Sequence, residues 1–189
     1  MKIPPFYIFT GGPGSGKTTL LNALQTKGYT VMAEVGRAII QREQVKDSDV
    51  LPWANRQLFY EAMLEQSIAD YRQRTTDAVV LWDRGIIDSI GYAVLEGLDI
   101  SKEQHQLASS LPYMPTVFIF PPWEEIYTQD KERKQDMTIA INTYEVMKIT
   151  YQKYGYRVVE VPTGTVNERV NFVIQILEQE EDERNNRNR

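Results

Sequence analysis

The sequence predicts a single α/β domain, a parallel sheet with helices on both faces, and three observations predict it. Five short apolar runs, at 6–10, 29–33, 78–82, 116–120 and 157–161, are rich in β-branched and aromatic residues with little polar alternation, as in strands covered on both faces. Stretches of helical apolar periodicity separate and follow these runs, and strands alternating with helices imply parallel pairing through right-handed crossovers. The 189 residues, 42% of them hydrophobic, can bury one full core without disulfide or metal staples.

The elements follow in order. The first strand enters a glycine-rich turn and then a helix carrying Leu20, Leu21 and Leu24, closed by Gly28 ahead of the second strand. Pro52 fits the first position of a long helix whose stripe is Tyr60, Leu64, Ile68 and Tyr71. The third strand delivers Asp83, with a helix beginning near Ile86, and Ser101-Lys102-Glu103-Gln104 offers a capping box for the next helix. After the fourth strand come a polar segment at 122–136 and a stripe of Ala140, Tyr144, Met147 and Tyr151. Gly155 then hands over to the fifth strand, and Thr165-Val166-Asn167-Glu168 caps a last helix with Val166, Val170, Val173, Ile174 and Leu177. The domain is expected to span 1–178. Residues 179–189, dense in Glu180, Glu181, Asp182 and Glu183, read as a disordered acidic tail or a frayed helix end.

Composition excludes several classes of chemistry. Without cysteine there is no disulfide, thiolate zinc site or cysteine nucleophile. One histidine, His105, rules out a multi-histidine metal site, argues against a Ser-His-Asp hydrolase, and reads as an exposed residue of a polar helix. A net charge of −5 does not suit a broad nucleic-acid face. No apolar run reaches the roughly 18 residues that span a bilayer, and the start of the chain lacks a signal-peptide layout, so a cytoplasmic protein is expected. A homodimer is left open.

The chemistry concentrates in Gly11-Gly12-Pro13-Gly14-Ser15-Gly16-Lys17-Thr18, a complete G-x-x-x-x-G-K-[ST] between the first strand and a helix. Its glycines let successive backbone N–H groups turn toward phosphate oxygens, and the helix N-terminus adds partial positive charge. Lys17 is expected to reach the β- and γ-phosphates, Thr18 to ligate Mg²⁺, and Thr19 to contact the α-phosphate of ATP. Asp83, at the C-terminal end of its strand, is the second expected Mg²⁺ residue; the alternative is that it only caps the following helix. Arg84 follows it, where a water-activating ATPase often has a second carboxylate, and a cation there suits a phosphate-accepting substrate better than water. No Asn-Lys-x-Asp follows the fourth strand, which disfavours a GTPase.

Three further clusters complete the expected site. Glu34 and Arg37 lie at the end of the second strand, where Glu34 would accept the proton of an attacking hydroxyl and Arg37 would steady substrate or phosphate. The bland alternative is an exposed ion pair. The segment near 123–136 carries Lys131, Arg133 and Lys134 and reads as a lid with Arg133 as transition-state cation, oriented by Asp130; a solvated helix face is the alternative. Trp53, Arg56 and Tyr60 are expected to wall an acceptor pocket, although such an aromatic stripe also suits a core. The 161–165 loop is placed to flank the nucleotide base.

The phosphate loop, Glu34-Val35-Gly36-Arg37, Pro52-Trp53, Asp83-Arg84-Gly85 and the Asp130–Arg133 lid, in this order, resemble a family of small bacterial P-loop proteins labelled AAA-type ATPases. They are similar to the ribosylnicotinamide-kinase domain of the bacterial NAD-metabolism regulator and, more distantly, to deoxynucleoside and thymidylate kinases. The resemblance implies a five-stranded parallel sheet in the order 2-3-1-4-5. It also implies that Glu34 serves as base, Asp83 and Arg84 as the acid–arginine pair, and Arg133 as the lid arginine. Asp83-Arg84-Gly85 departs from the Glu-Arg-Ser usual in nucleoside kinases. The expected activity is transfer of the γ-phosphoryl of Mg–ATP to a small nucleoside- or nucleotide-like acceptor; the alternative is a regulatory ATPase acting through a protein partner.

Overall fold

Strand β1 (Phe6–Gly11) is buried along its whole length because its side chains alternate between two cores. Phe6 and Ile8 enter one, with Val80, Trp82, Tyr60, Ile86 and Tyr151 among its members. Tyr7 and Phe9 enter the other, with Leu20, Leu24, Phe118, Val170 and Val173. The structure, a computed structural model, describes the backbone of residues 3–126 and 131–187 and the side chains of 3–125 and 137–186.

Helix α1 (Lys17–Thr26) follows β1, then β2 (Thr30–Met32), α2 (Val35–Val45), α3 (Arg56–Gln73), β3 (Val80–Asp83), α4 (Ile86–Leu95) and α5 (Lys102–Ser110). Strand β4 (Thr116–Phe120), a 3₁₀ turn at Glu124–Ile126, α6 (Lys131–Lys153), β5 (Arg157–Glu160) and α7 (Val166–Arg187) complete the chain. The strands form one sheet in the order β2-β3-β1-β4-β5, and every pairing is parallel. The expected fold class and strand order hold. Helices α3, α4 and α6 cover one face, and α1 and α7 the other. Both predicted capping boxes form, Ser101 with Gln104 and Thr165 with Glu168. Among the described residues no helix is long and apolar enough to cross a membrane.

Two boundaries differ from expectation. Helix α3 starts at Arg56, not Pro52, because the Asn55 side chain accepts a hydrogen bond from Leu58 N at 3.1 Å and caps the helix there. Helix α7 continues through Arg187, so of the two readings of residues 179–189, disordered tail or helix end, the helix is found up to that point. Glu180, within that stretch, accepts hydrogen bonds from Thr116 and Arg157 and ties the helix end to the sheet.

Candidate active site

The phosphate loop lies where parallel sheets place ligands, at the carboxyl end of the central strand. The loop bends through left-handed glycines, Gly16 with φ 75° among them, and a Cβ on Gly12 would come within 2.5 Å of the Ala140 carbonyl on α6. Its carbonyls are tied at three points. Ser15 Oγ donates to Gly12 O at 2.9 Å, Arg84 Nη2 to Gly11 O at 2.9 Å, and Arg169 Nη2 to Ser15 O at 3.1 Å. Residues Gly12 to Thr19 line a cavity of about 470 Å³ together with Glu34, Arg37 and Arg84. All of the expected phosphate-contacting residues except Gly11, whose carbonyl is held by Arg84, therefore line one cavity.

Lys17 and Asp83 are both buried and form an ion pair. Burial lowers the Lys17 pKa, and Arg84 adds to the effect against the opposing pull of Asp83. Asp83 does not cap α4, whose N-cap is Gly85. Thr18 and Asp83 line a common cavity beside the loop. A hydroxyl and a carboxylate fit Mg²⁺, a hard cation that takes oxygen ligands and completes its shell with water and substrate phosphates. Among the described residues there is no cluster of three or more potential metal ligands of the His, Cys, Asp or Glu type, and such a Mg²⁺ site does not require one.

Arg84 is the hub of the site. Its backbone has φ 68°, in the left-handed region, a conformation costing roughly 1–3 kcal/mol for a residue with a side chain. Its side chain donates to Glu34 from Nε at 3.0 Å, to Asp88 from Nη1 at 3.3 Å and to Gly11 O from Nη2. Burial alone would pull the Arg84 pKa down, but Asp88, Glu34 and Asp83 together push it above its ordinary value. Burial pushes the Glu34 carboxyl up, yet Arg84, Lys17 and Arg37 more than reverse this, leaving it below the usual carboxylate range. Arg37, largely exposed, sits 3.8 Å from Glu34. Asp88 is buried and also accepts from Thr10, Tyr151 and the Gly85 N–H, so one carboxylate joins β1, α4 and α6 behind Arg84.

The model of a protein family described as an AAA domain matches residues 6–169. The chain belongs to this AAA-domain family. No curated protein matches its sequence. In fold it is similar to thymidylate kinase from Ehrlichia chaffeensis, with a TM-score of 0.61 and 17% identity over 94% of this chain and 100% of that one. Deoxyadenosine kinase from M. mycoides gives 0.57 and 13% over 92% and 99%. Shikimate kinase from Aquifex aeolicus gives 0.53 and 16% over 93% and 98%. This AAA domain therefore has the fold of the small P-loop kinases.

A second cavity of the AAA domain, about 520 Å³, adjoins the loop and is walled by Phe59, Met63, Ser67, Tyr92 and Met147 among others. It shares Pro13, Glu34, Arg37 and Arg84 with the phosphate cavity. Of the expected acceptor residues only Arg37 lines it. Trp53 is exposed, Arg56 pairs with Glu96 at 3.2 Å, and Tyr60 is buried in the core. The helix turns its Phe59–Met63–Ser67 face to the cavity instead, one position from the core stripe of Tyr60, Leu64 and Ile68. Of the expected lid residues, Asp130 lies outside the described residues, and so do the side chains of Lys131, Arg133 and Lys134.

Sequence reasoning missed Thr10, Asp88, Tyr151 and Arg169. Asp88 carried a signal: it is the one carboxylate in the apolar stretch Ile86-Ile87-Asp88-Ser89-Ile90. Arg169 carried one too, since it adjoins Val170 on the buried stripe of the last helix. Thr10 and Tyr151 carried none.

Proposed function

We propose that this AAA domain is a phosphotransferase that moves the γ-phosphoryl group of Mg–ATP to a small nucleoside- or nucleotide-like acceptor. The observation that carries the reading is the meeting of two cavities at Pro13, Glu34, Arg37 and Arg84. Hydrolysis needs room for one water, whereas the second cavity is of the size that holds a small-molecule substrate, roughly 300–1,000 Å³. The fold shared with three kinases supports the same reaction class.

Mg–ATP would supply the transferable group and the metal would neutralise phosphate charge. The loop N–H groups and Lys17 would bind the phosphates, and Thr18 and Asp83, which line one cavity, would hold the metal. Glu34, at the junction of the cavities, orients the acceptor hydroxyl and takes its proton. Arg84 fixes Glu34 by a 3.0 Å hydrogen bond, and Arg37 faces both cavities.

The test is ADP release from ATP with and without a panel of nucleosides, nucleoside monophosphates and vitamin precursors. Acceptor-dependent release with a phosphorylated product is expected. A slow rate indifferent to every acceptor would overturn transfer in favour of a regulatory ATPase that acts through a protein partner.

A further inference from the structure

We propose that Arg169 is a positioning residue for the triphosphate, holding the phosphate loop in its anion-binding shape through the Ser15 carbonyl. The inference rests on reading that loop as a triphosphate site. Arg169 lies in the first turn of α7 and is 4% exposed. Besides its hydrogen bond to Ser15 O at 3.1 Å, its guanidinium carbon lies 5.0 Å from the Phe120 ring centre and 5.3 Å from that of Trp123. A Cβ on Gly16 would come within 2.6 Å of Nη1, so the guanidinium fills the space that glycine leaves beneath the loop.

Two physical consequences follow. The described peptides are all trans, and in a trans peptide the carbonyl and the next N–H point in opposite directions. Holding the Ser15 carbonyl toward Arg169 therefore turns the Gly16 N–H away from it, to the other side of the loop. Arg84 acts likewise at the far end, where its bond to the Gly11 carbonyl turns the Gly12 N–H away from Arg84. The second consequence concerns charge. Among the described residues no carboxylate pairs with Arg169, and its Nε has no hydrogen-bond partner. A buried cation with no counter-ion among the described residues is costly, and ring faces compensate only in part. A polyanion bound in the loop relieves that cost.

A purely structural Arg169 is the competing account, but α7 already docks on α1 through Val170, Val173 and Leu177 against Leu20, Leu21 and Leu24. The two accounts differ in what they move. A packing role changes the folded fraction; a positioning role changes phosphate affinity in the folded protein.

The experiment titrates magnesium tripolyphosphate into the full chain by calorimetry, in the parent protein and in R169M, R169Q and R169K. R169M, without charge or donor, is expected to bind at least tenfold more weakly. R169Q, with a donor only, should bind at least threefold more weakly, and R169K, with both, within threefold of the parent. In R169M the KM for ATP should rise in step with the affinity loss while kcat holds. If R169M does not fold, R169Q and R169K decide. A folded R169M or R169Q that binds like the parent overturns the proposal, as does R169K binding no better than the uncharged variants. A parent that gives no heat removes the triphosphate reading of the loop, and this inference with it.

Discussion

The two ends of the phosphate loop are held by the same chemical group in opposite environments. At the Gly11 end, Arg84 donates to the carbonyl while facing Glu34 and Asp88. At the Ser15 end, Arg169 donates to the carbonyl while lying between Phe120 and Trp123. The balanced end is the one the acceptor cavity shares, through Glu34, Arg37 and Arg84. Charges there hold one another in place and keep Glu34 ionised. At the aromatic end no carboxylate among the described residues pairs with the cation. On the proposed reading one guanidinium organises the site for chemistry and the other prepares it for binding.

Between the two ends stands Lys17, and its removal is the largest perturbation. Lys17→Ala deletes the cation proposed to bind the phosphates and should lower transfer by about 10²–10³, the scale of losing one preorganised electrostatic contact. It also strands the buried Asp83, so circular dichroism fixes the folded fraction and the steady-state rate of that fraction should collapse. Next in size, Arg84→Met leaves Glu34 and Asp88 without their shared cation. A fully buried pair costs about 3–5 kcal/mol to break; Arg84 and Glu34 are half-buried and Asp88 is buried, so part of that cost should appear as a lower urea midpoint. Arg169→Met strands no carboxylate among the described residues, and its midpoint should lie well above that of Arg84→Met. Equal losses in the two variants would erase the difference between the ends.

The same contrast explains what the sequence discloses. The loop from Gly11 to Thr18 is contiguous, so its pattern is written in neighbouring letters, and its place between β1 and α1 was legible. The three central strands were legible because residues buried on both faces leave apolar runs; the edge strands β2 and β5 are partly exposed. Asp83 was legible because a strand end positions it. The grips on the loop were not, because they form across the fold: Arg84 reaches back 73 residues to Gly11, and Arg169 reaches 154 to Ser15. Tyr60 took the other reading its stripe offered, a place in the core, for a different reason. Once Asn55 sets the start of α3, each face is fixed by a 100° step, and Tyr60 falls on the core stripe while Phe59 falls on the cavity. Trp53 and Arg56 are amphipathic residues on a turn and a helix start, and composition alone could not assign them a side.

The finest test of the comparison is the acid limb of the pH profile, which depends on Glu34. Burial raises its pKa, and Arg84, Lys17 and Arg37 together bring it below the ordinary carboxylate value of 4.5. A lowered carboxylate pKa means that the stabilisation from this pair is complete above the unfolded value and fades as pH falls through the folded one. Glu34 therefore stays ionised through the neutral range, and in the parent protein the acid limb of turnover should lie below pH 4.5. Glu34→Gln should lower turnover about a hundredfold, the usual contribution of a positioned base, with little change in ATP affinity. Arg84→Met removes the largest opposing charge, so the limb should move upward in whatever fraction remains folded. Arg169→Met should leave it where it is, because Arg169 is not among the groups that act on Glu34. A limb that stays fixed in Arg84→Met, read from kcat at saturating ATP, would show that Arg84 does not set the charge of Glu34.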